Sequence, residues 1–162
     1  MTVFKQIKDL LEERGMVFEV ASHRPVYTSA EAAEVRGEEL SSGAKALIVK
    51  ADGTFVLFVL PGDCRIDRKK MRKNVGFRGI RFATVEEVKE QTGLTPGAIP
   101  PFGSVLGMQT FCDVRLGEQP WISFNAGAHT TSIRMRYEDY VRVERPTVAD
   151  FTICPERLPS SS

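Results

Sequence analysis

The sequence has little of what metal and redox chemistry require. Its 162 residues include only three cysteines, Cys64, Cys112 and Cys154, and two histidines, His23 and His129. No two cysteines stand in C-x-x-C spacing and there is no H-E-x-x-H, so zinc and dithiol sites lack their ligands and the cysteines read as reduced thiols. No metal or other cofactor is expected. No apolar run approaches the ~18 residues of a membrane span, and the N-terminal MTVFKQIKDLLEERG carries charge throughout. Neither a signal peptide nor an anchor is expected, no membrane partner follows, and the setting reads as cytoplasmic. The G-x-S-x-G, G-x-G-x-x-G and P-loop motifs are missing too, which removes the signatures of a hydrolase elbow, a dinucleotide site and a nucleoside-triphosphate site. Neither sign of charge dominates. Twenty-two Lys and Arg against 21 Asp and Glu give a formal net charge of +1, which alone neither requires nor excludes a nucleic-acid partner.

What is present is the composition of one soluble domain with a real core, 42% apolar and 27% charged. Charge is unevenly distributed. RIDRKKMRKNVGFRGIR, residues 65–81, holds eight basic residues against the single acid Asp67. Arg68, Lys69, Lys70, Arg72 and Lys73 fall within one predicted helix. They read either as a solvated helix face or as a phosphate-facing patch whose binding weakens with salt.

Periodicity places the elements. Val3, Ile7, Leu10 and Leu11 predict an amphipathic helix stopped by Gly15, and MVFEVAS alternates as a strand. Thr28 followed by Glu31 has capping-box spacing, predicting a helix over Ala30–Arg36 that Gly37 ends. Asp52-Gly53 between GAKALIVK and TFVLFVL predicts a tight hairpin. Asp67 is placed to begin the basic helix, GIRFA reads as a strand, and Thr84 with Glu87 predicts a further helix. TPGAIPPFGSVLG, residues 95–107, carries three glycines and three prolines and reads as a stiff loop with bare peptide groups, not a regular element. Strands are expected near 119–124 and 131–136, and a short helix at YEDYVRV. Residues after Pro146 read as a peripheral extension with a disordered PSSS end.

Lys45 is the residue that this pattern does not explain. Alternation sets it on one strand face with Leu47 and Val49, opposite Ala44, Ala46 and Ile48, so both faces are largely apolar. An ammonium there must reach solvent, find an acceptor, or await a ligand that supplies one. Ser42 and Lys45 form an S-x-x-K, the spacing of a serine nucleophile activated by lysine. That pair faces one way only on a helix, whereas Lys45 opens a strand after Gly43, and the S-D-N and K-T-G partners are missing.

HRPVYTSAEAAEVRG, GAKALIVK, LPGDCRIDRKKMRK, TGLTPGAIPPFG and FNAGAHTTSIRM followed by EDY, taken in this order, resemble the YbaK-like editing domains. That family includes free-standing aminoacyl-tRNA deacylases and the insertion domain of bacterial prolyl-tRNA synthetases. The resemblance covers about residues 1–145, leaving 146–162 as an extension. It implies an α+β single domain, a strongly bent mixed sheet flanked by helices.

The implied activity is hydrolysis of the ester between a wrong amino acid and a transfer RNA, in trans and without a metal. The resemblance assigns Lys45, Gly97 and Gly103 to catalysis, and Val26, Tyr27, Thr28, Pro101, Phe102, Asn125, Gly127 and His129 to the substrate pocket. An activated ester needs only positioned water and a stabilised oxyanion, which a lysine and bare loop amides can supply. Thr28 is equally explained as a helix cap, and His129 reads as a substrate contact or a structural hydrogen-bond partner. His23 reads as structural. The expected substrate is Ala- or Cys-tRNA(Pro), with the basic helix on the acceptor stem and a synthetase as a further partner. The competing expectation is a non-catalytic module that binds RNA or a synthetase and merely keeps the fold.

Overall fold

The computed structural model describes residues 1–155. The PSSS end lies outside the described residues. Helix α1, Val3–Glu13, is capped by Thr2, whose hydroxyl accepts from the Lys5 amide, and it buries Ile7 and Leu11 completely. Each such side chain contributes about 1.5–3 kcal/mol of burial. Strand β1, Phe18–Ser22, leads to α2, Ser29–Arg36, capped by Thr28 and ended by Gly37 in the left-handed conformation. The hairpin predicted at Asp52-Gly53 joins β2, Ala44–Ala51, to β3, Thr54–Pro61.

Beyond the hairpin come β4, Arg65–Ile66, the basic helix α3, Arg68–Asn74, and β5, Ile80–Phe82. The Asp67 side chain caps α3 as expected, accepting from the amides of Lys69 and Lys70. Helix α4, Val85–Thr92, carries the full capping box of Thr84 and Glu87. The remaining elements are α5, Gly103–Leu106, β6, Thr110–Asp113, β7, Trp121–Asn125, β8, Thr131–Arg136, α6, Tyr137–Glu144, β9, Thr147–Ala149, and β10, Thr152–Ile153.

The strands form a five-stranded mixed sheet of order β5-β2-β3-β6-β9, an antiparallel sheet β1-β8-β7 and a two-stranded pair β10-β4. An isolated parallel bridge between Gly43 and Ser123 links the two larger sheets. The main core fills one face of the large sheet, with Ile7, Leu11, Leu57, Val59, Phe102, Phe124 and Tyr140. A smaller core on the other face gathers Phe58, Met71, Phe111 and Phe151.

Three expectations are corrected. Cys64 and Cys154 form a disulfide across β4 and β10, so only Cys112 is a free thiol. The chain after Pro146 is not peripheral: β9 extends the large sheet and Phe151 is completely buried. The stretch 95–107 is not loop throughout, since Gly103–Leu106 makes the single turn α5, which Gly107 ends in the left-handed conformation. Short strands and distant pairing partners explain these misses, because none leaves a period of its own.

Candidate active site

Strand β2 is covered by β3 along its whole length, but β5 covers its other side only from Val49 to Ala51. The first half of β2 is therefore an open edge. The Ile48 carbonyl on that edge accepts from the Ala83 amide, and two residues earlier the backbone N–H and C=O of Ala46 face the same way with no strand against them. A cavity of about 480 Å3 lies along this edge. Helix α2 closes one wall with Ala32, Ala33 and Arg36. The Gly97 turn, Asn125 and Gly62 complete it, and Lys45 and Leu47 project from β2.

Lys45 is half-buried, and its Nζ donates to the Cys64 carbonyl at 2.7 Å. Burial pulls its pKa below the ordinary lysine value, and the nearby Asp63 carboxylate works in the opposite direction. One of three ammonium donors is thus used as an anchor, and the amine is held at the cavity instead of reaching into bulk solvent. Ser42 also lines the cavity, but its hydroxyl donates to the Glu39 carbonyl at 2.8 Å. No serine-lysine hydrogen bond links it to Lys45 among the described residues.

The Gly97 turn requires glycine. Its φ is +90°, and a Cβ there would lie 3.1 Å from the His129 ring and 3.2 Å from the Tyr27 carbonyl. His129 is the post behind this turn. A carbonyl only accepts, so His129 Nδ1–H donates to Val26 at 3.0 Å, and in the neutral ring Nε2 accepts from the Thr95 hydroxyl at 2.8 Å. The Tyr27 ring stacks on it at 4.5 Å. Asn125 ties the turn from the other side, its Nδ2 donating to the Gly97 carbonyl at 2.7 Å.

The structure therefore brings Tyr27, Thr28, Lys45, Gly97 and Asn125 to one cavity. Val26, Gly127 and His129 stand behind its wall. Gly127 donates to the Ala98 carbonyl and packs on α1, and the Val26 amide donates to the His129 carbonyl. Pro101, Phe102 and Gly103 are not in the lining. Phe102 is fully buried between Phe124 and Tyr140, and the Pro101 carbonyl accepts from the Tyr140 hydroxyl at 2.7 Å. The Gly103 amide is not bare, since it donates to Thr110 Oγ1 at 2.9 Å. Sequence reasoning passed over Arg36, which lines the cavity from the last turn of α2. Its only signal was position, since a basic residue before a C-cap glycine is also an ordinary helix ending.

Of the basic helix, Arg68 donates to the Ile80 carbonyl at 2.7 Å, and Lys70 holds the Thr152 carbonyl at 2.9 Å and Asp150 at 3.3 Å. Lys69, Arg72 and Lys73 are exposed. Among the described residues no group of three or more His, Cys, Asp or Glu could hold a metal ion, and no helix is long and apolar enough to cross a membrane.

A family model described as the aminoacyl-tRNA editing domain matches residues 23–143. The chain belongs to the aminoacyl-tRNA editing domain family. The matched span contains every cavity residue named above. The multifunctional Ser/Thr-tRNA deacylase ProXp-y of Escherichia coli K12 is 34% identical over 147 residues, covering 88% of each chain. A proline-tRNA ligase of Bacillus licheniformis is 32% identical over 140 residues, 85% of this chain but 24% of the ligase. Among solved structures, one described as a candidate trans-editing enzyme for prolyl tRNA synthetase superposes with a TM-score of 0.80 at 28% identity, covering 94% of this chain and 98% of that one. Another, described as hypothetical protein APE2540, reaches 0.82 at 26% identity over 91% and 99%. As an editing-domain protein of this kind, the chain is a hydrolytic aminoacyl-tRNA deacylase.

Proposed function

We propose that the protein acts in trans, in the cytoplasm, to remove a small amino acid from mischarged tRNA. The observation that carries this reading is the cavity itself: an ammonium at Lys45, a glycine turn held rigid from both sides, and an uncovered strand edge converge on one space. A volume of about 480 Å3 suits a terminal adenosine carrying a small side chain. Water attacks the ester carbonyl carbon, the bond to the ribose oxygen breaks, and a proton passes to that oxygen. An activated ester needs mainly positioning and stabilisation of the developing oxyanion, which fixed donors in a half-enclosed site supply. Lys45 binds the terminal phosphate, and the ribose hydroxyl beside the ester helps activate the water.

The wall also carries the hydroxyls of Thr28, Ser29 and Ser42 and the carboxylates of Glu38 and Glu39. Such groups can take both the substrate ammonium and a side-chain hydroxyl. Together with the relative named as a Ser/Thr-tRNA deacylase, they support serine and threonine as the residues removed fastest, ahead of alanine and cysteine. The prolyl ligase among the relatives supports tRNA(Pro) as one tRNA body. The exposed side chains of Lys69, Arg72 and Lys73 support a contact of α3 with the acceptor stem.

The test is deacylation of Ala-, Cys-, Ser- and Thr-tRNA, on proline and cognate tRNA bodies, by wild type and Lys45→Ala. Selective hydrolysis is expected, with kcat/KM falling about 10²-fold or more in the variant. Folded wild type that hydrolyses no member of the panel would favour the non-catalytic binding module instead.

A further inference from the structure

Arg36 is only partly exposed and folds inward from the last turn of α2. Its guanidinium enters the partition between the active-site cavity and a second cavity of about 440 Å3 against the polar face of the β1-β8-β7 sheet. Nε donates to Ser132 Oγ at 3.0 Å and Nη2 to Asn125 Oδ1 at 3.1 Å. Ser132 is itself held by His23 Nε2 at 2.7 Å, and Asn125 passes the contact on to the Gly97 carbonyl. His23, expected to be structural, is the outer end of this chain. Two corners of the guanidinium are thereby fixed.

The third corner is free. Nη1 has no hydrogen-bond acceptor among the described residues, and it points toward Gly43, where a Cβ would lie 3.7 Å from it. Gly43 lines the active-site cavity. Burial lowers the Arg36 pKa while Glu38 raises it, yet arginine stays charged in any such setting. A guanidinium held at two corners, whose third corner faces a cavity and meets no protein acceptor there, keeps one directional donor pair available to a bound ligand.

We propose that Arg36 is a catalytic residue of this deacylase, its Nη1 donating to the carbonyl oxygen of the aminoacyl ester and holding that oxygen as it becomes an oxyanion. The inference rests on the deacylase reading above. The substrate ammonium would be repelled here, whereas an oxygen that gains negative charge is matched. The division of labour with Lys45 follows from stiffness. A lysine anchored by one bond can follow a phosphate, while a guanidinium locked at two corners offers a directional donor that needs no reorganisation as charge develops. The same lock makes Arg36 a positioning residue for the Gly97 turn through Asn125.

Arg36→Gln and Arg36→Lys are to be compared with wild type on the tRNA that wild type hydrolyses fastest, with folding checked by thermal denaturation. Both are expected to lower kcat by about 10²-fold or more while KM moves by a few fold at most, as for loss of one oxyanion donor. A folded Arg36→Gln variant with unchanged kcat, or one altered only in KM, overturns the proposal. A second measurement needs neither turnover nor a variant. The 15N signal of the Arg36 side chain in wild type is followed while a non-hydrolysable 3′-aminoacylamido adenosine is added, and it is expected to shift. An unmoved signal overturns the proposal whether or not hydrolysis is seen. A shifted signal in a protein that hydrolyses none of the panel would keep the Arg36 contact and sink the deacylase reading.

Discussion

Lys45 and Arg36 place two cations at one cavity by opposite means. Lys45 gains its place from a strand that loses its neighbour, and Arg36 from a helix end that turns inward to Ser132 and Asn125. The lysine is the one with titration to lose. Burial holds its pKa below the usual value while Asp63 works against that, and only the protonated amine can bind phosphate, so the proposed contact is expected to be lost as pH rises through that lowered pKa. Affinity for the non-hydrolysable adenosine bearing a 5′-phosphate is therefore expected to fall on the alkaline side at a lower pH than an exposed lysine would give. Lys45→Arg should flatten that limb, as measured by calorimetric titration across pH. An affinity that stays level in wild type would remove the ammonium from phosphate binding.

At the scale of elements, the pair β4 and β10 connects the chain end to the site. Cys64 supplies the carbonyl that anchors Lys45 and also the sulfur bonded to Cys154, which lies 90 positions further along the chain. Cys154→Ser is expected to cost about 2–4 kcal/mol of stability in denaturant unfolding under oxidising conditions. Under reducing conditions wild type and variant should unfold alike, which matters because cytosolic thiols are usually kept reduced. Equal stability of the two proteins under oxidising conditions would show that the bond does not constrain the chain. Elements with strong local signals were legible in the sequence: Thr84 with Glu87, Thr28 with Gly37, and Asp52-Gly53 all act within a few residues. Strand β6, Thr110–Asp113, was not legible, since it is buried at every position and pairs in parallel with strands far away in sequence.

For the whole molecule, a net charge of +1 hides a basic face. Lys69, Arg72 and Lys73 are exposed on α3, whereas Arg68 and Lys70 are used by the fold itself. Replacing Lys69, Arg72 and Lys73 with Gln should weaken tRNA binding and reduce the slope of log affinity against log salt by about 2–3, read from binding titrations at several salt concentrations. An unchanged slope would put the RNA on another face. Arg68→Gln and Lys70→Gln should register mainly as lost stability.

The sequence by itself determined the family and the α+β class, and it singled out Lys45, Gly97 and Asn125, which line one cavity, because ordered motifs and local turn chemistry are properties of neighbours along the chain. Only the tertiary structure decided how those residues are used. It placed Phe102 in the core and bonded the Gly103 amide to Thr110, made His129 a post for the Gly97 turn, and bonded Cys64 to Cys154. It also brought Arg36 to the cavity through partners 89 and 96 residues away. Side-chain hydrogen bonds across such separations depend on how sheets and helices pack, and no spacing along the chain records them.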